Sequence, residues 1–379
     1  MLKRYLLAPG PTPVPPEVLQ SMAMPIIHHR SPDFVPIIES AKEGLKWLYQ
    51  TKNDVIILSC SGTGGMVAAV NNFFSAGEKV LVVNGGKFGE RWMKICQSYG
   101  VEVQEIPVEW GYVVKPEEIK KALDADPKIS GVFMQASETS TGVFHDIKAV
   151  GEIVKGRKDV LFVVDAISAL VAHDIKTDDW GIDVMVAGSQ KGLMMPPGLA
   201  FVSVSDKAWA KDTKGSPHFY FNLKKERESL AKNQTAFSSS VTLIIALNEA
   251  LKMLRAEGLE NVFARHATLA NATREALKAL GLSMYAKESP SNALTAVEMP
   301  EGIDGQEVYK AMRVKYGITG AGGQDKAKGK IFRIAHLGYA DIFDIITAIA
   351  GLEMVLKGMG HDIKLGTGVA RAQELLMRK

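Results

Sequence analysis

The sequence is poor in cysteine, with only Cys60 and Cys96 among 379 residues. Neither falls in a CxxC pair or another metal-ligand spacing, which argues against a zinc or iron–sulfur framework. Two cysteines in a chain this long cannot form a disulfide scaffold, and a reducing compartment is the simpler expectation. A dominant charge is missing too: 45 Lys and Arg stand against 42 Asp and Glu, for a formal net charge of +3. With no basic block to track a phosphate backbone, nucleic acid is not an expected partner. No apolar run is long enough to span a bilayer, and the apolar patch before Pro9 is too short for a signal-peptide core. A soluble, cytoplasmic protein with no membrane partner is therefore expected.

What is present is a globular balance of 46% hydrophobic and 23% charged residues, enough for two or three folding units. Pro9, Pro11, Pro13, Pro15 and Pro16 predict an extended arm over 1–16. Beyond it, short apolar runs alternate with helical patterns. VIILSCS (55–61) ends in the cluster SGTGG, and a helix is expected to follow over MVAAVNNFFS. VLVVN (80–84) precedes a helix over ERWMKICQSYG (90–100). VEVQEIP, GVFMQ (131–135), VLFVVD (160–165), DVMVAGS (183–189) and FVSVS (201–205) continue the strand series. Apolar strands separated by helices indicate an α/β fold with a mostly parallel sheet covered on both faces. After about residue 240 the pattern changes to two long amphipathic helices, then short strands (LTAVEM, KIFRIAH) and the helix IFDIITAIAGLEMVLKGMG. The expected division is a large domain over 17–256 and a smaller α+β domain over 257–379.

Ligands of parallel sheets bind beyond the carboxyl ends of the strands, which singles out the post-strand loops. Ser61-Gly62-Thr63 at a strand–helix junction offers close backbone approach, hydroxyls and helix N–H groups to a phosphate. It lacks the Walker lysine and the dinucleotide spacing, which argues against ATP and NAD. Asp165 closes an apolar strand; alone it would be read as a turn former. Lys191 follows the next strand inside a Gly- and Pro-rich loop, where desolvation would make its amine a better nucleophile. Taken in order, the anion cup, the strand-end Asp and the strand-end Lys are three parts of one cofactor site.

Those blocks, with the opening APGPTPVPPEV, NGGKFGER, ETSTG, VVDAISAL, DVMVAGSQKGLMMPPG and the late KIFRIAHLG, resemble the class V aminotransferases of fold type I. That family includes alanine–glyoxylate, serine–glyoxylate and serine–pyruvate enzymes. The likeness runs almost end to end, and the roles below are what it implies. The cofactor would be pyridoxal 5'-phosphate, bonded covalently through Lys191, with Asp165 keeping the ring nitrogen protonated. Ser61, Gly62 and Thr63 would hold the phosphate. Phe88 would stack on the ring, Ile167 would pack beneath it, and Thr139 and Gln190 would lie near the ring oxygen. Arg333 would fork onto the substrate α-carboxylate.

Relatives also bring hydroxyls to the phosphate from a neighbouring subunit. Thr235 and Ser238 match them here, although Ala236 and Ser239 replace the prolines usual in that segment. A homodimer is implied, with the arm crossing onto the neighbour. His29 and Arg30 follow the arm near the expected substrate entrance, without an assigned role. The expected reaction is a ping-pong transfer of an amino group from alanine or serine to glyoxylate or pyruvate, with aspartate as an alternative donor. A lyase or desulfurase would need a reactive cysteine on a loop, whereas Cys60 is read as lying in a strand and Cys96 in a helix. A non-catalytic partner subunit would have no need of Asp165, Lys191 and Arg333 together.

Overall fold

A computed structural model describes residues 2–211 and 216–377. Seven strands form the central sheet: β1 (Asp54–Leu58), β2 (Lys79–Asn84), β3 (Glu102–Pro107), β4 (Ile129–Gln135), β5 (Leu161–Asp165), β6 (Val184–Gly188) and β7 (Ala200–Val204). Their spatial order is β1-β7-β6-β5-β4-β2-β3. The strands from β2 to β6 pair in parallel, while β7 runs antiparallel to both β1 and β6. β4 to β7 are buried almost throughout, as apolar strands covered on both faces must be. β1 and β3 are the edge strands, and β3 carries exposed Glu102 and Glu105, charges that discourage pairing with another chain.

The sheet places the candidate residues at one edge. Because β6 is parallel to β5 and β7 returns antiparallel, the connection Ser189–Leu199 turns back at the carboxyl end of the sheet. Ser189 pins that turn: its N–H donates to the Leu199 carbonyl at 3.0 Å, and its hydroxyl donates to the Pro196 carbonyl at 2.7 Å. The first helix after β1 begins at Gly62 and ends at Phe73, so the glycines lie in its first turn and not ahead of it. Close packing explains their presence there: a Cβ on Gly65 would lie 2.7 Å from Val186 Cγ1. The next helix, Lys87–Ser98, likewise starts three residues before the expected ERWMK segment, which brings Phe88 into its first turn.

Among the described residues, two large apolar cores dominate, beside two small clusters. The larger runs from Val18 to Val262 on both faces of the sheet. The smaller joins Leu7 to residues from Leu269 through Leu376, packed on the antiparallel strands Leu294–Glu298, Ile331–Ala335 and Ala321–Gly322. The helix Val241–Glu257 ends at Gly258, and Leu259–Ala279 leads from the first core into the second. In the smaller core, Asp341 starts the helix Ile342–Gly358 with a reciprocal cap, its carboxylate accepting from the N–H of Phe343 and Asp344.

The N-terminal arm is extended but stays on its own chain. Tyr5–Leu6 pairs in parallel with Ile318–Thr319, and the Leu7 carbonyl accepts the Ala335 N–H at 2.9 Å. These bonds fasten the start of the arm to the chain's own smaller core.

Candidate active site

Lys191 lies at the turn between β6 and β7, half-buried beneath the arm. Its Nζ donates to the Pro9 carbonyl, and Thr12 clamps the same loop by donating its hydroxyl to the Lys191 carbonyl at 2.8 Å. Gly10 passes so close that a Cβ there would sit 2.1 Å from Lys191 Nζ. Burial pulls the Lys191 amine down to about 8; the nearby Arg333 and Arg91 charges act in the same direction, and the Asp165 carboxylate opposes them.

Asp165 ends β5, and its Oδ1 accepts the Ile167 N–H at 2.8 Å. Burial pushes this carboxyl up to about 7, with Glu138 adding to the rise and Arg91 and Lys191 resisting it. Arg333 projects from the small domain's Ile331–Ala335. Its Nε and Nη2 donate to the Gly322 carbonyl at 3.1 and 2.7 Å, and its Nη1 donates to the Thr139 carbonyl at 2.8 Å. Guanidinium has five N–H groups, so these bonds leave one on each Nη, the pair suited to a carboxylate. Burial lowers Arg333 to about 10, still a cation at neutral pH.

The remaining residues fall into two groups. Ser61 precedes the helix that starts at Gly62, Thr63 accepts from Arg91 Nη1 at 3.2 Å, and Arg91 lies over the Phe88 ring at 4.7 Å. Ile167 packs beneath Gly62, and Thr139 shares a hydroxyl hydrogen bond with Ser168 at 2.7 Å. Gln190 precedes Lys191, with its Oε1 buried and without a protein partner among the described residues. Thr235 and Ser238 lie apart, on the loop before Val241–Glu257. There the Thr235 hydroxyl donates to the Phe237 carbonyl at 2.7 Å, and Ser238 is exposed. His29 and Arg30 are at the surface, where Arg30 donates to Gln234 at 2.9 Å.

Three participants escaped the sequence reading: Glu138, Arg91 and the Pro9 carbonyl. Glu138 and Arg91 lie inside ETSTG and GKFGER, the segments quoted for Thr139 and Phe88, so position was the available signal. Cys60 is also placed differently. It lies in the bend after β1, which stops at Leu58, because the chain must turn there into the helix at Gly62. Burial nonetheless pushes both Cys60 and Cys96 thiols up to about 12, so neither is a thiolate nucleophile at neutral pH.

The family model for class-V aminotransferases matches residues 4–336. This chain belongs to that family. A soluble hydrogenase small subunit from a Synechococcus species is 46% identical over 99% of this chain and 98% of its own length. The L-aspartate–glyoxylate aminotransferase of Paracoccus denitrificans is 38% identical, covering 97% of this chain and 95% of its own. Among solved structures, the ureidoglycine–glyoxylate aminotransferase of Bacillus subtilis superposes with a TM-score of 0.94 at 31% identity, covering 100% of this chain and 99% of its own. Such membership in a fold type I aminotransferase family implies dependence on pyridoxal phosphate.

The residues of this class-V aminotransferase fit that cofactor. Lys191 is a desolvated amine, and Asp165 is a buried carboxyl that a cationic ring nitrogen would return to its ionised form. Gly62 lets Ile167 pack directly against the helix's first turn, since a Cβ there would fall 2.6 Å from Ile167 Cδ1. The orphaned Gln190 oxygen provides an acceptor awaiting a donor. Among the described residues, no cluster of His, Cys, Asp or Glu could hold a metal ion. No helix there is long and apolar enough to cross a membrane.

Proposed function

We propose that this chain is a pyridoxal-phosphate-dependent transaminase that moves the amino group of alanine or serine to glyoxylate or pyruvate. The observation that carries the reading is the convergence of a depressed lysine amine, a buried aspartate and a two-donor arginine fork at one sheet edge. Ser61, Gly62 and Thr63 would hold the phosphate, with Arg91 adding positive charge; Phe88 and Ile167 would flank the ring, and Thr139 and Gln190 would lie near its oxygen. When bound, the cofactor supplies an electron sink for negative charge developing at the substrate α-carbon.

The chain's own residues then have distinct tasks. Arg333 orients the α-carboxylate with its two remaining N–H groups. Asp165 would keep the ring nitrogen protonated. Lys191 would hold the cofactor, and its free amine would carry the α-carbon proton as a base. The arm passes over Lys191, and Gly10 leaves room for its amine, since a Cβ there would meet Lys191 Nζ. Aspartate is the second reading, supported by the Paracoccus relative.

A homodimer completes the proposal, with Thr235 and Ser238 reaching the phosphate of the neighbouring copy. An exposed apolar surface beside that loop supports it. Phe219 and Tyr220 pack their rings on Phe237, one residue before Ser238, while Phe219 remains 82% exposed. The test is a panel of amino donors against glyoxylate, pyruvate and 2-oxoglutarate, read as kcat/KM. Alanine or serine should lead. In parallel, Lys191→Ala should lose both turnover and the cofactor label that borohydride fixes to the wild-type chain. Normal turnover by that variant would sink the assignment.

A further inference from the structure

Glu138 is a fully buried carboxylate to which none of the steps above gives a task. It sits just beyond β4, and both of its oxygens are engaged. Oε2 accepts the N–H groups of Phe88 at 3.1 Å and Gly89 at 3.2 Å, in the first turn of Lys87–Ser98. Oε1 accepts the Ser140 hydroxyl at 2.5 Å and the Ser140 N–H at 3.1 Å. Ser140 in turn accepts the Lys87 N–H at 3.1 Å. Gly86 is drawn tightly against the pair, since a Cβ there would meet Glu138 Cδ and Ser140 Oγ at 2.4 Å.

A helix N-terminus can be capped by a surface Ser or Asp with little desolvation. Sinking a glutamate completely is far more costly, so capping alone does not account for it. Its placement does. One oxygen grips the turn that carries Phe88. The other grips the residue after Thr139, whose carbonyl holds Arg333 Nη1 at 2.8 Å.

We propose that Glu138 is a positioning residue that locks the Phe88 ring and the Arg333 fork at one fixed separation. The inference rests on the transaminase reading, in which Phe88 faces the cofactor and Arg333 faces the substrate carboxylate. Glu138 itself touches neither. Burial raises the Glu138 carboxyl above its ordinary value while its four hydrogen bonds oppose the rise; in its ionised form it attracts Arg333 and repels Asp165. Four donors converge on two oxygens, a pattern that fits a carboxylate and not an amide, because an amide must present a donor on one side.

The experiment compares wild type, Glu138→Gln and Ser140→Ala. It measures the dissociation constant of pyridoxal phosphate from cofactor-free protein, the visible circular dichroism of the loaded protein, and KM and kcat separately. Glu138→Gln should raise the cofactor dissociation constant and the amino-donor KM by about ten-fold or more, as expected for lost hydrogen bonds to a charged group. It should also alter the visible dichroism, while kcat at saturation falls less than KM rises. Ser140→Ala, which leaves the Phe88 and Gly89 bonds in place, should shift the same quantities in the same direction by a smaller factor, and it decides the matter if Glu138→Gln does not fold. Unchanged cofactor affinity, KM and dichroism in a folded variant would overturn the positioning role. A wild-type protein that takes up no cofactor would instead overturn the reading beneath it.

Discussion

Burial brings the Lys191 amine to about 8, and only the unprotonated amine can attack a carbonyl. At pH 7 roughly a tenth of it would be free, against about one part in 2,500 for an ordinary lysine near 10.4. Asp165, Arg333 and Arg91 are the charges that face it. Cofactor uptake by the cofactor-free protein should therefore accelerate with pH up to about 8 and then level off, followed by stopped-flow absorbance. A rate still climbing in proportion to hydroxide beyond pH 9.5 would show an ordinary, solvated lysine. At this scale the sequence was informative where chemistry coincides with strand ends. Lys191 and Asp165 were legible because a charged residue directly after an apolar strand is unusual, and Arg333 because its motif matched the family. Glu138 was not, since nothing in ETSTG distinguishes a fully buried acid from a solvated one. The Pro9 carbonyl is invisible in principle: it acts through the backbone, which every residue shares.

The first turn of Gly62–Phe73 shows how an element can be recognised and still misplaced. Glycine favours loops on its own, so SGTGG reads as a turn before a helix. Contact with β6, β7 and Ile167 requires that same glycine-rich stretch to be helical, and packing outweighs propensity. Gly62→Ala should consequently leave far-UV circular dichroism unchanged, because Ala's helix advantage of about 1 kcal/mol offsets part of the overpacking. Its Cβ would nevertheless displace Ile167 and, through the Ile167 N–H, disturb Asp165. We expect cofactor affinity to fall about ten-fold, measured by equilibrium titration; retained affinity would mean that Ile167 gives way freely. The direction of β7 was equally hidden. FVSVS has the same apolar content whether it runs parallel or antiparallel, and only pairing with β1 and β6 decides. The arm's extended form followed from its prolines, but its destination depended on backbone pairing with Ile318–Thr319, which leaves no trace in composition.

Across the whole molecule, four buried histidines couple stability to pH. Burial lowers His145 to about 4, His173 and His266 to about 3, and His336 well below its ordinary value. One of them spans the two parts of the chain, His173 Nε2 accepting the Asn292 N–H at 3.0 Å, while His266 Nε2 accepts the Gly338 N–H at 3.0 Å and His336 shares a hydrogen bond with Thr295 around the smaller core. Below about pH 6.5 the unfolded chain takes up protons that the folded chain refuses, so stability falls as pH decreases, by on the order of 1 kcal/mol per histidine per pH unit. Asp165, raised to about 7, works the other way, since its folded form gains a proton first, and burial raises Glu138, Glu226 and Asp344 in the same sense. The four histidines should outweigh these carboxyls and lower the melting temperature of cofactor-free protein between pH 7 and 5.5; a flat or rising profile in calorimetry would show that they do not. The arm has a consequence of another kind, for mechanical coupling. Tyr5–Leu6 pairs with Ile318–Thr319 beside the smaller core, and a few residues further on Thr12 holds Gln190 and Lys191 through its N–H and hydroxyl. So short a stretch of extended chain has little slack. Any shift of the smaller core against the sheet would pull directly on the loop that carries the lysine.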